Sequence, residues 1–507
     1  MSKTKPLNQN PLFLLGACFL GILLYYPVLN GAPIWDDSVD WFRAHVMSSE
    51  YPYSMVWSRF AWPLSVTVQK FLLSVFGYQF NQYHAFNLLL HLLNSLLVLQ
   101  LGTQLKWPKA EWIFLLFILH PANLIAVAWM TQVKTLLCFF FSFLTLLTYL
   151  RAEKDRRWMY ASWALFFCAL ACKASALMLP LLFLIPGLKF HVKKRAIVWL
   201  LPFFIFSSFS GYRIVTSLGA GIDPDQAKTA EKVILPHTES KVLQALPHPA
   251  MKATEVPASA PAASPLATAP KTPSDANLIQ KGFQAVSRLL RTSAYYFWKA
   301  YLPLGSHPVK EPERGQFHGS DALRILSLIA LFALAWFEIG FLKRSWLMHW
   351  IPAAILIFPV LGLVPTPFMN ISWVSDQHLY LALPFLLVLP FYYLEKVKAP
   401  RLQTSLGLVL AIFLAMGLKA TPYYKNEISF YTESLNATPG HVAIANNLAV
   451  ALMNLGQSER AAYVIEETLF QIDQDESLKA SKFLPILYEL RNAIKEARKT
   501  KDTKRRS

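Results

Sequence analysis

The chain has 507 residues, of which 54% are hydrophobic, 14% aromatic and only 15% charged, against roughly 25% charged in a typical soluble domain. Soluble globular, disordered, collagen-like and disulfide-rich classes are excluded, and the composition is that of an all-α polytopic membrane protein. The 48 Lys and Arg against 30 Asp and Glu give a net charge of +18, but the basic residues sit in short clusters between apolar segments and in the last residues, which is the footprint of membrane topology and not of a nucleic-acid groove.

A spanning helix needs about 20 apolar residues. Pro11 to Leu29 is the first such stretch. No small-residue cleavage motif follows it, so it reads as a retained span. The others are 86–105, 111–128, 132–150, 157–171, 174–187, 195–212, 322–341, 347–364, 378–394 and 402–419, about eleven spans in all. The short pair 157–171 and 174–187 also fits one broken hairpin. Basic clusters at Lys3–Lys5, Lys106–Lys109, Arg151–Arg157, Lys189–Arg195, Lys343–Arg344 and Lys396–Arg401 then all fall on the N-terminal side, which is cytoplasmic by the positive-inside rule. The outer face holds residues 30–85, the loop 213–321, the loop 365–377 and everything after 420. Four cysteines, Cys18, Cys138, Cys168 and Cys172, lie in or beside apolar segments, with neither zinc spacing nor a disulfide framework.

The chain divides into a core at 1–212, an outer loop at 213–321, further spans at 322–420, a helical region at 421–498 and a basic tail at 499–507. Within the outer loop, Pro247 to Ser274 is dominated by Pro and Ala and reads as a linker. Residues 286–304 are amphipathic and aromatic, as in an interfacial or re-entrant helix. After Asn426 the sequence turns soluble. Asn446, Asn447, Leu448, Ala449, Leu452, Gly456 and Ala461 follow the spacing of a tetratricopeptide helix pair, and Gly456 is placed to end its first helix. A lone pair of this type must dock on the membrane part or on a partner.

The strongest chemical feature is Asp36-Asp37, beyond the first span. Adjacent carboxylates suit general-base chemistry or a divalent cation; solvated acids flanking a span are the plain alternative. Lys134, Lys173, His378 and Arg59 are charged or polar residues in or beside apolar segments, where a charge must face a cavity, find a partner or snorkel. An anionic group such as a lipid phosphate would offset Lys173. His84, Asn87 and His91 share one helical face, either for a ligand or for interhelical hydrogen bonds. His120-Pro121 reads as helix punctuation.

Taken together, Trp35-Asp36-Asp37, Trp62-Pro63-Leu64, Tyr83-His84-Ala85-Phe86-Asn87-Leu88-Leu89-Leu90-His91, Leu119-His120-Pro121, Ala126-Val127-Ala128-Trp129, Lys173-Ala174-Ser175-Ala176 and His378-Leu379-Tyr380 resemble the tetratricopeptide-containing transmembrane O-mannosyltransferases and their bacterial relatives, membrane glycosyltransferases of the C type. The resemblance runs from about residue 11 to 465. It implies an inverting enzyme of a bacterial inner membrane that moves a mannose-like hexose from a polyprenyl-phosphate donor to a hydroxyl, on the face opposite the cytoplasm. The acid would be Asp36, supported by Asp37. Lys134, Lys173, His378, Arg59 and Tyr380 would hold the donor phosphate. An acceptor protein or glycan would meet the C-terminal helices. The acid pair leaves open a Mg2+ or Mn2+ cofactor. The chain departs from the family at Trp62, Val133, Thr135, Ala174 and Gln377: the family has Arg at Trp62, Val133 and Gln377, Asp at Thr135 and Glu at Ala174. A non-catalytic scaffold that recruits envelope proteins is the alternative those losses favour, while a transporter would need repeated halves that the spans lack.

Overall fold

The computed structural model describes residues 10–37, 52–185, 194–219, 275–310, 350–362, 371–394 and 399–506, apart from 476, 477, 480 and 482 and with scattered positions between 322 and 333. The described residues contain helices and no strand. Five helical stretches among them are long and apolar enough to cross a membrane: Pro11–Val28, Phe80–Leu105, Met130–Ala152, Ile197–Ile214 and Pro400–Tyr424. A sixth arises if the bent pair Ala110–Leu119 and Pro121–Ala128 is counted as one span. The expected span 322–341 lies, with most of the Pro/Ala linker, outside the described residues.

Helix α1 (Pro11–Tyr25) starts where Asn10 accepts a hydrogen bond from the Leu12 N–H and proline occupies the first turn, a donor-free position that proline tolerates. The segment after it carries α2 (Tyr53–Arg59) and α3 (Pro63–Phe76) before the 26-residue α4 (Phe80–Leu105). The core is built from α4, α5 (Ala110–Leu119), α6 (Leu124–Ala128), α7 (Val133–Ala152) and α8 (Arg157–Cys172). Phe114, Phe117, Phe139, Phe143 and Phe166 are fully buried there, and Phe139 stacks on Phe143 at 4.0 Å.

Proline breaks what sequence alone reads as one span at 111–128. His120-Pro121 ends α5, and the chain resumes as α6 after a bend of 51°. Proline removes a donor and disfavours helical geometry in the residue before it. The polar groups this frees are satisfied locally: Asn123 Nδ2 donates to the Phe117 carbonyl at 2.7 Å and His120 Nδ1 accepts from Ala122 N–H. The other ring nitrogen of His120 donates to the Ala300 carbonyl at 3.0 Å. The punctuating histidine thus also docks α10 (Asp275–Tyr301). The expected spans at 174–187 and 378–394 are likewise interrupted. The first is made of short 3-10 turns around Pro180; the second contains α12 (Leu383–Leu387) and α13 (Leu389–Leu394), each opening on a proline. The 347–364 stretch contains α11 (Trp350–Ile357), and α9 (Leu201–Gly219) and α14 (Ala399–Ala420) complete the apolar set. A side chain at Gly417 would stand 2.4 Å from Leu24, so glycine lets α14 lie against α1.

The C-terminal helices are α15 (Glu427–Ala437), α16 (Val442–Asn454), α17 (Ser458–Gln474) and α18 (Leu484–Arg506). Asn426 caps α15 through Ser429 N–H, and His441 caps α16 through Ile444 N–H. Gly456 follows α16 with φ of 72°, the left-handed geometry of a helix C-cap. The basic tail at 499–506 continues α18 rather than leaving it. These helices are joined to the rest of the chain by specific bonds. His441 Nε2 donates to the Ile371 carbonyl at 2.6 Å, and Ala32 N–H donates to the Lys425 carbonyl at 2.8 Å.

Candidate functional site

The acid pair lies in a single 3-10 turn, Trp35–Asp37, and the two carboxylates do different things. Asp37 is fully buried. Its oxygens accept from Thr131 N–H at 2.7 Å, Met130 N–H at 3.2 Å and Ile34 N–H at 3.4 Å. Two of those donors open the run into α7, so Asp37 satisfies N–H groups that a helix start leaves unpaired. Burial, then the charge of Asp36, raise the Asp37 carboxyl well above its ordinary range, and the three N–H groups oppose this only in part. Asp36 keeps about a third of its side-chain surface exposed. It accepts from Thr131 Oγ1 at 2.9 Å and lies 3.9 Å from Lys134 Nζ.

What separates neighbouring acids is the backbone before them. Trp35 has φ of 51°, a left-handed conformation that costs a bulky residue about 1–3 kcal/mol and persists only where its surroundings fix it. Here the fixing is aromatic: the Trp35 ring meets Trp129 at 6.1 Å, Phe430 at 5.7 Å and Tyr431 at 6.0 Å. The C-terminal helix α15 therefore forms one wall of the acid turn.

Asp36, Lys134, Lys173 and His378 line one cavity of about 260 Å3 together with Trp35, Trp62, Trp129, Trp373, Tyr296 and Gln132. Six chain segments far apart in sequence meet there. Lys173 follows α8, outside the long spans, and is nearly buried. Its ammonium donates to Thr135 Oγ1 at 2.7 Å, and Thr135 donates to Gln132 Oε1 at 2.7 Å. Burial, reinforced by Lys134, lowers the Lys173 ammonium to about 7. An anion in the cavity would reverse that.

A second charged group stands behind the cavity wall. Lys299 on α10 pairs with Asp376 at 3.0 Å, both nearly buried, and Tyr295 donates to the same carboxylate. Burial works to raise Asp376, but Lys299, Lys310 and these hydrogen bonds outweigh it and hold the carboxyl below its usual range. Arg291, also on α10, lies over the Trp373 ring at 5.0 Å. Nothing in the local sequence pairs Lys299 with Asp376. The cavity tryptophans Trp62 and Trp129 were visible as motif residues, but not as its walls.

Other expected residues stand elsewhere. Tyr380 is fully buried in the core among Phe117 and Phe139, where His91 Nδ1 meets its hydroxyl at 2.7 Å and Asn94 donates to it at 3.4 Å. The other His91 nitrogen meets the Ile118 carbonyl at 3.1 Å, so that nitrogen carries the proton and Nδ1 accepts from Tyr380. Asn87 donates to the Val127, Trp129 and Met130 carbonyls. His84 is buried beside Gly31, where a Cβ would stand 3.0 Å from its Nε2. This helical face thus makes interhelical hydrogen bonds at His91 and Asn87 and holds Trp129 in the cavity wall. Arg59 ends α2, and its side chain lies outside the described residues.

Among the described residues, no three His, Cys, Asp or Glu side chains are grouped to hold a metal ion. The acid pair does not fit a divalent cation, because both Asp37 oxygens are committed to backbone N–H groups, leaving Asp36 with an ammonium beside it. No family model, curated protein or solved structure matches the chain.

Proposed function

We propose that the cavity takes the sugar-phosphate head of a polyprenyl-phosphate hexose and that the protein transfers the hexose to a hydroxyl, an inverting glycosyl transfer. The observation that carries this reading is the placement of one available carboxylate, Asp36, with two ammonium groups, Lys134 and Lys173, among tryptophan faces. Each part has a task in such a reaction. The acceptor oxygen bonds to the anomeric carbon as the carbon–oxygen bond to the phosphate breaks. Asp36 takes the acceptor proton. Lys134 and Lys173 balance the charge that builds on the departing phosphate, and aromatic faces suit the C–H side of a sugar ring.

The finer architecture follows the same reading. The chain would cross a bacterial inner membrane about eleven times with its N-terminus cytoplasmic, placing Asp36, the 365–377 loop and α15–α18 on the outer face. The C-terminal helices would act as a tetratricopeptide-like unit that presents an acceptor protein or glycan. A scaffold without catalysis is favoured by one observation, an open groove of about 690 Å3 between α15, α16 and α17, which could recruit a partner whatever the cavity does.

The test is a deletion strain carrying wild-type or Asp36→Asn protein, with envelope proteins surveyed by mass spectrometry for hexose on Ser and Thr. Adducts restored by wild type and not by the variant support protein glycosylation. Adducts restored equally by both contradict the role of Asp36. If neither changes any adduct while both rescue the envelope phenotype, the scaffold reading replaces this one.

A further inference from the structure

Half of the residues that line the cavity lie between Pro359 and His378, and α10 holds that wall in place. Arg288, Arg291, Tyr295 and Lys299 recur at helical spacing along one face of it. Arg288 Nε donates to the Gly362 carbonyl at 3.0 Å, Arg291 lies over Trp373, and Tyr295 and Lys299 converge on Asp376. Tyr296 grips the residue before that acid: its hydroxyl donates to the Ser375 carbonyl and accepts from the Ser375 N–H, both at 3.2 Å. The helix is fixed to the core in turn, by His120 at the Ala300 carbonyl and by the Tyr301 hydroxyl, which donates to the Leu386 carbonyl at 2.8 Å.

The wall carries His378 into the cavity, and that side chain has no anchor of its own. Thr131 ties Asp36 and Thr135 ties Lys173, but among the described residues the His378 ring has no hydrogen-bond partner. Its place is set by the backbone that bears it, the 3-10 turn Asp376–His378. The His378 N–H donates to the Ser375 carbonyl at 3.0 Å, the same oxygen that Tyr296 holds. Asp376, at the other end of the turn, is held at 3.0 Å by Lys299.

We propose that Lys299, Asp376 and Tyr296 are positioning residues for the transfer: together they fix the turn that holds the His378 imidazole in the cavity with Lys134 and Lys173. This rests on the reading of the cavity as the donor site. A buried ion pair adds little net stability over apolar packing of similar volume, and its contribution here is placement. Lys299 and Asp376 act through His378 and touch no substrate.

The full-length protein in lipid nanodiscs would be assayed with polyprenyl-phosphate mannose and a Ser/Thr peptide. Lys299→Met with Asp376→Leu removes both charges, so neither is left buried alone. Turnover of that variant should fall about 10- to 100-fold, the effect of a small misplacement at a reacting centre. The KM for the donor should stay near that of wild type, because Lys134 and Lys173 keep their own contacts. His378→Ala should lose at least as much turnover. Adding the two substitutions to it should lose little more, since residues that act as a unit are not additive. Tyr296→Phe removes the grip on Ser375 without touching a charge, and its loss should likewise vanish in the His378→Ala background. It decides the matter if the charge-free variant does not fold. Losses that multiply with that of His378→Ala would leave α10 a structural role alone and overturn the proposal, as would variants that fold and turn over like wild type. A folded wild-type protein that transfers no hexose would overturn the donor-site reading itself.

Discussion

Thr131 Oγ1 donates to Asp36 Oδ1 at 2.9 Å, tying the cavity carboxylate to the start of the helix that carries Lys134. The backbone N–H of the same threonine binds Asp37 at 2.7 Å. One residue therefore aims both acids, one toward the cavity and one into the helix start.

Replacing Thr131 by Val removes the hydroxyl and keeps the backbone donor. A hydrogen bond to a charged group is worth about 1.5–3 kcal/mol. The variant should keep its fold and its donor affinity and lose turnover by one to two orders of magnitude, as Asp36 loses its fixed direction. Steady-state kinetics with the reconstituted protein checks this. A fall in donor affinity with turnover unchanged would contradict it.

Asp37→Asn should fail differently from Asp36→Asn. Asparagine keeps one oxygen but sets an NH2 against the N–H donors that met the other, which then have no acceptor, an unsatisfied burial that costs about 1–3 kcal/mol. A lowered melting temperature is expected, with activity that returns on cooling. Asp36→Asn should melt like wild type and stay inactive at every temperature.

The affinity for an anionic lipid should depend on pH through Lys173. In the ligand-free protein this ammonium loses its proton near 7, while a bound phosphate favours the protonated form and raises it. Binding then takes up a proton above pH 7, and affinity falls as pH rises, by at most tenfold per unit. The sign for stability is the reverse. Between about 7 and the ordinary lysine range the unfolded chain holds the proton and the folded one does not, so stability rises with pH. Lys173→Met should flatten both profiles, and a flat wild-type binding profile would contradict the role given to Lys173.

Lys299→Met should be severely destabilising, by about 3–5 kcal/mol, because it leaves Asp376 charged and buried with its ion-pair partner gone. Adding Asp376→Leu should recover much of that loss. Thermal unfolding of the single and double variants measures the difference; a double variant no better than the single one would contradict the pairing.

How much of this was legible beforehand depended on whether one segment or several decided it. Asp36, Lys134, Lys173 and His378 were each conspicuous as charged or polar residues beside apolar runs, and the structure brings these four to one cavity. The spacing of Asn87 and His91 placed them on one face, but only the tertiary partners, Tyr380 and the carbonyls of Ile118, Val127 and Trp129, decide what that face does. Tyr380 shares a motif with His378 yet points into the core two residues away. The division of labour between Asp36 and Asp37 hangs on the left-handed backbone of Trp35, which depends on Phe430 and Tyr431 almost 400 residues later. The Lys299–Asp376 pair joins segments 77 residues apart, and no local pattern links them. Prolines marked the breaks at 121, 180, 384 and 390, but apolar content masked their effect on the length of each span.

The central claim is that Asp36 is the base for glycosyl transfer. Its most direct test follows one turnover of reconstituted protein with a radiolabelled polyprenyl-phosphate hexose and a Ser/Thr peptide, for wild type and Asp36→Asn. The account predicts that both bind the donor alike and that only wild type releases polyprenyl phosphate and labels the peptide, with the variant slower by about 10²–10⁴-fold. Equal labelling by the two proteins would contradict it.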